Sequence, residues 1–264
     1  MPASLDQIVT ATRRKVSEAL RSADVRELER QAEQHVPRGF RRALEKRNRS
    51  GPALIAELKK ASPSRGLIRA DFDPANLAIE LEGAGAAALS VLTDTEFFQG
   101  SLRNLQQASA ATKLPCLRKD FIVDEFQLLE ARANHADAIL LIVAALSQAE
   151  LETLAQKAKD HNLDALCEVH DQKELERALG VGFDLIGVNS RDLRTFTVDL
   201  QTAFRLASVM PKNVLRIAES GIQSGKDIAD LRAAGYQAFL IGESLMKARS
   251  PADALRTLIA QAES

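Results

Sequence analysis

From Ala53 onward, short apolar runs bounded by turn residues alternate with longer stretches in which Leu, Ile and Ala return every three or four positions. The runs read as buried strands and the spaced stretches as helices with one inward stripe. Strands are expected to end near Leu58, Leu92, Arg118, Val143, Val169, Val188, Ala218 and Ile241. Eight strand–helix units of this kind predict an α/β chain folded as a (β/α)8 TIM barrel. Helix starts agree with that parsing: Asp73 before Pro74, Asp124 with Gln127, Ser147 with Glu150, Asp171 with Glu174, Ser224 with Asp227, and Ser250 before Pro251 and Asp253. Each offers an acceptor for the first unpaired backbone N–H groups. Gly83, Gly180 and Gly235 are expected to stop helices in the left-handed conformation. An open doubly wound sheet would need a glycine-rich nucleotide fingerprint after an early strand, and the chain has none.

The first fifty residues carry a different pattern. They are rich in Arg, Glu, Ala and Gln and have almost no strand signal. Helices are expected from about Ser4 to Ala19 and from about Asp24 to Gln34, followed by a polar connection to Gly51. Residues 1–50 therefore read as an N-terminal helical extension, a lid or plug, and 51–264 as the barrel, within one structural domain. The cations Arg38, Arg41, Arg42, Lys46, Arg47 and Arg49 are interrupted by Glu45 and have no aromatic partner for bases, so they read as a solvated helix face.

Charge narrows the function classes. In 264 residues, Lys plus Arg total 35 and Asp plus Glu total 36, a net charge of -1. Such a chain has no global field for nucleic acid or an acidic membrane, so any anion site must be local. No stretch resembles a signal peptide or a membrane span, and a cytoplasmic protein is expected. Cys116 and Cys167 lie inside apolar runs and are expected to be buried and reduced. With no coiled-coil pattern and balanced charge, a monomer is expected.

Polar residues gather where strands end. Glu57 and Lys59 lie two apart and share the inward face of the first strand. Arg118 and Lys119 fall on opposite faces of the third, and Glu168, Asn189 and Glu219 close the fifth, sixth and seventh. All strands of a parallel barrel end on one face, so these groups are expected to converge there. Burying unpaired charge is costly, which makes such a cluster a candidate active site. Ser220-Gly221 after the seventh strand and Gly242-Glu243-Ser244 after the eighth place glycines where backbone N–H groups can meet an anion. Barrels often hold a phosphate between those two loops, with a short extra helix such as the turn expected at Leu245 to Ala248.

Five segments, Ala56 to Ser64, Leu117 to Val123, Cys167 to His170, Gly187 to Leu193 and Ala218 to Ile222, resemble the signatures of indole-3-glycerol-phosphate synthase, and the likeness spans essentially the whole chain in its single-function form. The resemblance implies a carboxy-lyase of tryptophan biosynthesis. It would close the pyrrole ring of 1-(2-carboxyphenylamino)-1-deoxyribulose 5-phosphate, releasing carbon dioxide and water. It also implies Lys119 as the general acid that protonates the ketone oxygen, its pKa drawn from ~10.4 toward working pH by burial and a second cation. Lys59 would contact phosphate or carboxylate and serve as acid in the dehydration, with Glu57 or Glu168 taking the last ring proton. Asn189, Arg191, Glu219 and Ser220 would orient the substrate, with Ser62 in a mobile first loop. Phe98, Phe121, Leu140 and Leu193 would form the anthranilate slot, and Phe97 is expected to pack structurally. Lys59, Ser220, Gly221, Gly242, Glu243 and Ser244 would cradle the phosphate, Glu243 only if its side chain turns outward. His170 is expected to cap or pack at its strand end. No metal or cofactor is expected, because the ring-closed cation is its own electron sink. Another phosphate-binding barrel enzyme, such as a sugar-phosphate isomerase or epimerase, would share the two glycine loops without needing both lysines and the aromatic slot. A barrel serving only as a scaffold would not keep the charged cluster.

Overall fold

The computed structural model describes residues 4–193 and 195–263. Eight parallel strands close into a barrel: β1 Ala53–Leu58, β2 Ala88–Leu92, β3 Cys116–Lys119, β4 Ala138–Ile142, β5 Asp164–Val169, β6 Leu185–Asn189, β7 Leu215–Glu219 and β8 Ala238–Ile241. Each strand pairs with its sequence neighbours, and β1 closes the ring against β8 with Ala53 opposite Ala238. Period-2 alternation divides the apolar residues into two cores. Leu54, Ala56, Leu89, Ile139 and Leu141 point outward to the helices. Ala53, Ile55, Leu117, Leu140, Leu166, Ile217 and Leu240 fill the barrel interior.

Three helices precede the barrel: α1 Leu5–Ser22, α2 Val25–Gln34 and α3 Phe40–Asn48. The third corrects the expected polar connection. Its basic residues mask an apolar pair, Phe40 and Leu44, which lie one turn apart, share a face and are wholly buried. That face joins the interior core beside Ala53 and Leu215, so α3 stoppers the end of the barrel where strands begin. Of the six expected solvated cations, Arg42, Lys46 and Arg49 are exposed as expected, but Arg38, Arg41 and Arg47 are ties. Arg38 donates to the buried Asp137 carboxylate through Nη2 (2.6 Å) and its backbone N–H (2.7 Å), and to the Thr112 carbonyl at 2.9 Å. Arg41 pairs with Asp184, and Arg47 with Glu263. The Asp137 carboxyl is held below its usual range because His35 and Arg38 outweigh the effect of burial.

The helix starts at Asp73, Ser147, Asp171, Ser224 and Ser250 all accept a backbone N–H, with capping boxes at Ser147 and Ser224. The Asp124 helix begins one residue later than expected, at Phe126, with Asp124 accepting the Phe126 N–H. Of the expected glycine stops, Gly235 is left-handed, but Gly83 and Gly180 lie inside their helices. Gly85 and Gly182, two residues on, take that conformation instead (φ 96° and 91°). β4 ends at Ile142, and Val143 opens a 3-10 turn. Both cysteines are free and buried, with burial pushing the Cys116 thiol up to about 12. Among the described residues no helix is long and apolar enough to cross a membrane.

Candidate active site

A cavity of about 720 Å³ opens where the strands end. Glu57, Lys59, Ser62, Phe98, Lys119, Phe121, Leu140, Glu168, Asn189, Arg191, Leu193, Glu219, Ser220, Gly221, Gly242, Glu243 and Ser244 all line it. Every residue expected to act on or hold the substrate therefore meets in one space. The convergence follows from register: Glu57, Lys119, Glu168, Asn189 and Glu219 occupy inward positions near the carboxyl ends of β1, β3, β5, β6 and β7. Arg118, one residue from Lys119, points the other way and is a structural member. It pairs with Asp120 at 3.1 Å and Glu130 at 3.0 Å behind the strand.

The floor is a buried charge cluster. Lys119 Nζ lies 3.1 Å from Glu168 Oε2 and 3.3 Å from Glu219 Oε2, while Lys59 Nζ lies 2.8 Å from Glu57 Oε1. The Lys119 pKa departs from the sequence expectation in direction. Burial alone would pull it down, but Glu168, Glu219 and Glu57 together outweigh burial and hold the ammonium well above the ordinary lysine range. Three carboxylates face it, and the second cation is itself neutralised by Glu57. Burial likewise opposes ionisation of Glu168, yet Lys119, His170 and Asn189 keep it far below the usual carboxylate range. Glu57 is lowered too, by Lys59 and Lys119 against burial. Glu219 moves the opposite way, raised by burial and by the neighbouring Glu168 charge despite Lys119. Apart from the Lys119 ion pair, among the described residues neither Glu219 oxygen has a hydrogen-bond partner. Carboxyls pushed apart in this way can act as base and proton donor in the same site.

Two glycines make room for that floor. A Cβ on Gly187 would collide with the Glu219 carboxylate, and one on Gly242 with that of Glu57. Opposite the charges, Phe98 and Phe121 face each other with ring centroids 6.3 Å apart. Phe97 stands outside the cavity, under the Lys15 ammonium at 5.6 Å. Ser220 and Gly221 are both left-handed (φ 61° and 85°), and a side chain at Gly221 would reach 2.8 Å from Val198 Cγ1. A non-glycine residue held in that region marks a loop whose shape its surroundings impose. A short helix, Glu243–Lys247, follows Gly242.

The Glu243 side chain does not turn away from this rim. It pairs with Lys247 at 2.5 Å and Arg65 at 3.1 Å, with Arg191 at 3.8 Å. Arg65 and Lys247 were not singled out from the sequence, although Lys247 stands at the i+4 position that pairs with Glu243 on a helix. Leu5 and Ile8 of α1 also reach the cavity, a role that a helical stripe alone does not reveal. Ser62 is held in a two-residue antiparallel ladder, with Ser62 opposite Gly66.

Residues 5–258 match the sequence profile of indole-3-glycerol phosphate synthase. The chain belongs to the indole-3-glycerol phosphate synthase family. It is 59% identical over 259 residues to the indole-3-glycerol phosphate synthase of Koribacter versatilis, covering 98% of this chain and 100% of that one. It is 47% identical to the Acinetobacter baumannii (strain AYE) enzyme of the same name, covering 97% and 96% of the two chains. Among solved structures, 3-hexulose-6-phosphate synthase superposes with a TM-score of 0.61 at 14% identity, over 79% of this chain and 99% of that one. A thiamine phosphate pyrophosphorylase from Pyrococcus furiosus superposes at 0.60 with 17% identity, over 82% and 97%. These two share the barrel alone. Family membership makes the chain a decarboxylating lyase of tryptophan biosynthesis acting on a phosphorylated small molecule.

Proposed function

We propose that the cavity closes the pyrrole ring of 1-(2-carboxyphenylamino)-1-deoxyribulose 5-phosphate, with Lys119 as the acid of the first step. The observation that carries this reading is the Lys119 ammonium, 3.1 and 3.3 Å from carboxylates on two other strands, between an aromatic slot and a glycine-walled anion rim. The phosphate binds at Lys59, Ser220, Gly221, Gly242 and Ser244. The anthranilate ring lies in the slot lined by Phe98, Phe121, Leu140 and Leu193. Fixing both ends of one flexible substrate brings the carboxyl-bearing ring carbon to the ketone carbon, a proximity effect of several kcal/mol.

The ring carbon forms the new bond, and the ketone oxygen takes the Lys119 proton as its charge develops. Loss of carbon dioxide returns the bonding pair to the ring and restores aromaticity. Lys59 then protonates the hydroxyl, which leaves as water, and a carboxylate takes the last proton from the ring. Glu57 and Glu168 are both held ionised, so comparison of Glu57→Gln with Glu168→Gln, by trapping the intermediate before dehydration, assigns that base. Asn189, Arg191, Glu219, Ser220 and Ser62 orient the hydroxyls and the carboxylate. Glu243, whose side chain stays at the rim, neutralises surplus cations there.

Mixing the purified chain with this substrate and following indole fluorescence tests the reading. Turnover is expected, and a folded protein without turnover would end it. The same reading includes a cytoplasmic monomer, with 1–50 as an extension of the single barrel domain. Light scattering on a sizing column checks the oligomeric state.

A further inference from the structure

Behind Glu168, away from the cavity, lies a histidine that the reaction as described does not use. His170 follows β5 by one residue and is largely buried, with 13% of its side chain exposed. Its Nδ1 lies 3.0 Å from Glu174 Oε2 and its Nε2 lies 3.4 Å from Glu168 Oε1. Capping the helix Gln172–Val181 does not require this ring. Asp171 Oδ1 already accepts the Glu174 N–H at 2.9 Å, and Glu174 Oε2 accepts the His170 backbone N–H at 2.8 Å. What the imidazole adds is a second contact, to Glu168.

We propose that His170 is a positioning residue for the reaction: clamped between Glu174 and Glu168, it holds Oε1 of Glu168 from behind so that Oε2 stays on Lys119 at the reacting centre. The inference rests on the reading of Glu168 as a working carboxylate in that centre. Nδ1 hydrogen-bonds to Glu174, and Nε2, at ion-pair distance from Glu168 without a hydrogen bond of its own, faces a second carboxylate, so the ring sits between two negative charges that favour the imidazolium. Burial opposes that charge, but Glu168 and Glu174 prevail and push the pKa up to about 10. The charged groups around it are Glu168 from the strand and Glu174 from the helix; beyond Glu168 stand Lys119, Glu219 and Glu57. The two oxygens of Glu168 are thereby divided, one to His170 and one to Lys119 at 3.1 Å. Asn189 Oδ1 accepts the Arg191 N–H at 3.0 Å, which leaves its amide nitrogen to help hold Glu168. Without the imidazolium, a buried carboxylate loses one of its two neighbouring cations. It then protonates at higher pH and can rotate off Lys119.

The test compares the intact enzyme with His170→Ala, His170→Gln and Glu174→Gln across roughly pH 5 to 9, the range in which histidine charge matters. His170→Ala should lower kcat ~10-fold or more, as expected for loss of a buried neighbouring cation, change KM by less than ~2-fold, and shift the acid limb of kcat to higher pH. His170→Gln, which returns an N–H donor without the charge, should recover much of kcat and leave the acid limb raised. Glu174→Gln should move the acid limb in the same direction by a smaller amount. An acid limb that stays in place in His170→Ala, whether or not kcat falls, would reduce the ring to packing and overturn the proposal. An activity-independent reading comes from the ring C–H resonance of His170 in the unmodified protein. It should remain in its charged position throughout that range, and titration near the ordinary 6.5 would overturn the proposal even with full turnover. A silent wild-type enzyme would instead reject the substrate assignment, leaving the resonance to decide the clamp.

Discussion

Lys119 shows how far one side chain can be read from sequence. Its inward direction follows from alternation along β3, but its charge does not. Three partners from β1, β5 and β7 set that charge, and they are close only in the folded barrel. As the proposed acid, Lys119 is held protonated, although a raised pKa weakens it as a donor, and Lys119→Ala should lower kcat by more than ~100-fold while KM changes little. Steady-state kinetics on the folded variant check this, and near-normal kcat would mean that another group is the acid. Glu219 makes the converse case. Its folded pKa is raised from 4.5 to about 8, so folding is penalised increasingly as pH rises between those values. Glu219→Gln should therefore raise the melting temperature at pH 8 to 9 by ~3 °C or more, at 2–4 °C per kcal/mol for a chain of this size, with little gain at pH 4. Equal melting points at both pH values would show that the carboxyl carries no such penalty. Gly187 belongs to the same account. Alanine there would displace the Glu219 carboxylate, and the expected result is a loss of kcat exceeding the change in melting temperature.

At the level of elements, the sequence reading placed the strand ends to within a residue and recovered most helix starts, because strand alternation and capping are local codes. It missed α3. Nine residues dominated by Arg and Lys conceal a two-residue apolar face whose meaning depends on the open end of a barrel. The misplaced helix stops at Gly83 and Gly180 have a similar origin: each precedes another glycine by two residues, and propensity does not choose between them. α1 and α3 should consequently respond differently to removal. Deleting residues through Ser22 takes away Leu5 and Ile8 from the cavity mouth and should raise KM several-fold, with the barrel still folding. Phe40→Ala should cost ~3–5 kcal/mol of stability, as for other buried aromatics. Denaturant titration of both proteins separates the two roles, and similar destabilisation would refute the division.

For the whole molecule, a net charge of -1 excluded global attraction and required a local anion site. Lys59, Arg65, Arg191 and Lys247 gather at one rim, Lys59 paired with Glu57 and the others held partly in check by Glu243, and this is where the proposed anion site lies. Arg65 and Lys247 were illegible in advance because their relevance comes from the β8 loop meeting the β1 loop in space. The exposed pair, Arg65 and Lys247, is screened within about 8–10 Å at ordinary ionic strength. KM for the phosphorylated substrate should therefore rise several-fold from low to half-molar salt, with kcat nearly constant. A salt-independent KM would place the binding energy elsewhere.

The helix lodged beneath the strands has a traffic consequence. With Ile55, Leu117, Leu166 and Ile217 filling the barrel above Phe40 and Leu44, arrivals and departures among the described residues share the rim alone. The bulky product must clear the rim before another molecule can enter, so the finished indole compound should inhibit competitively.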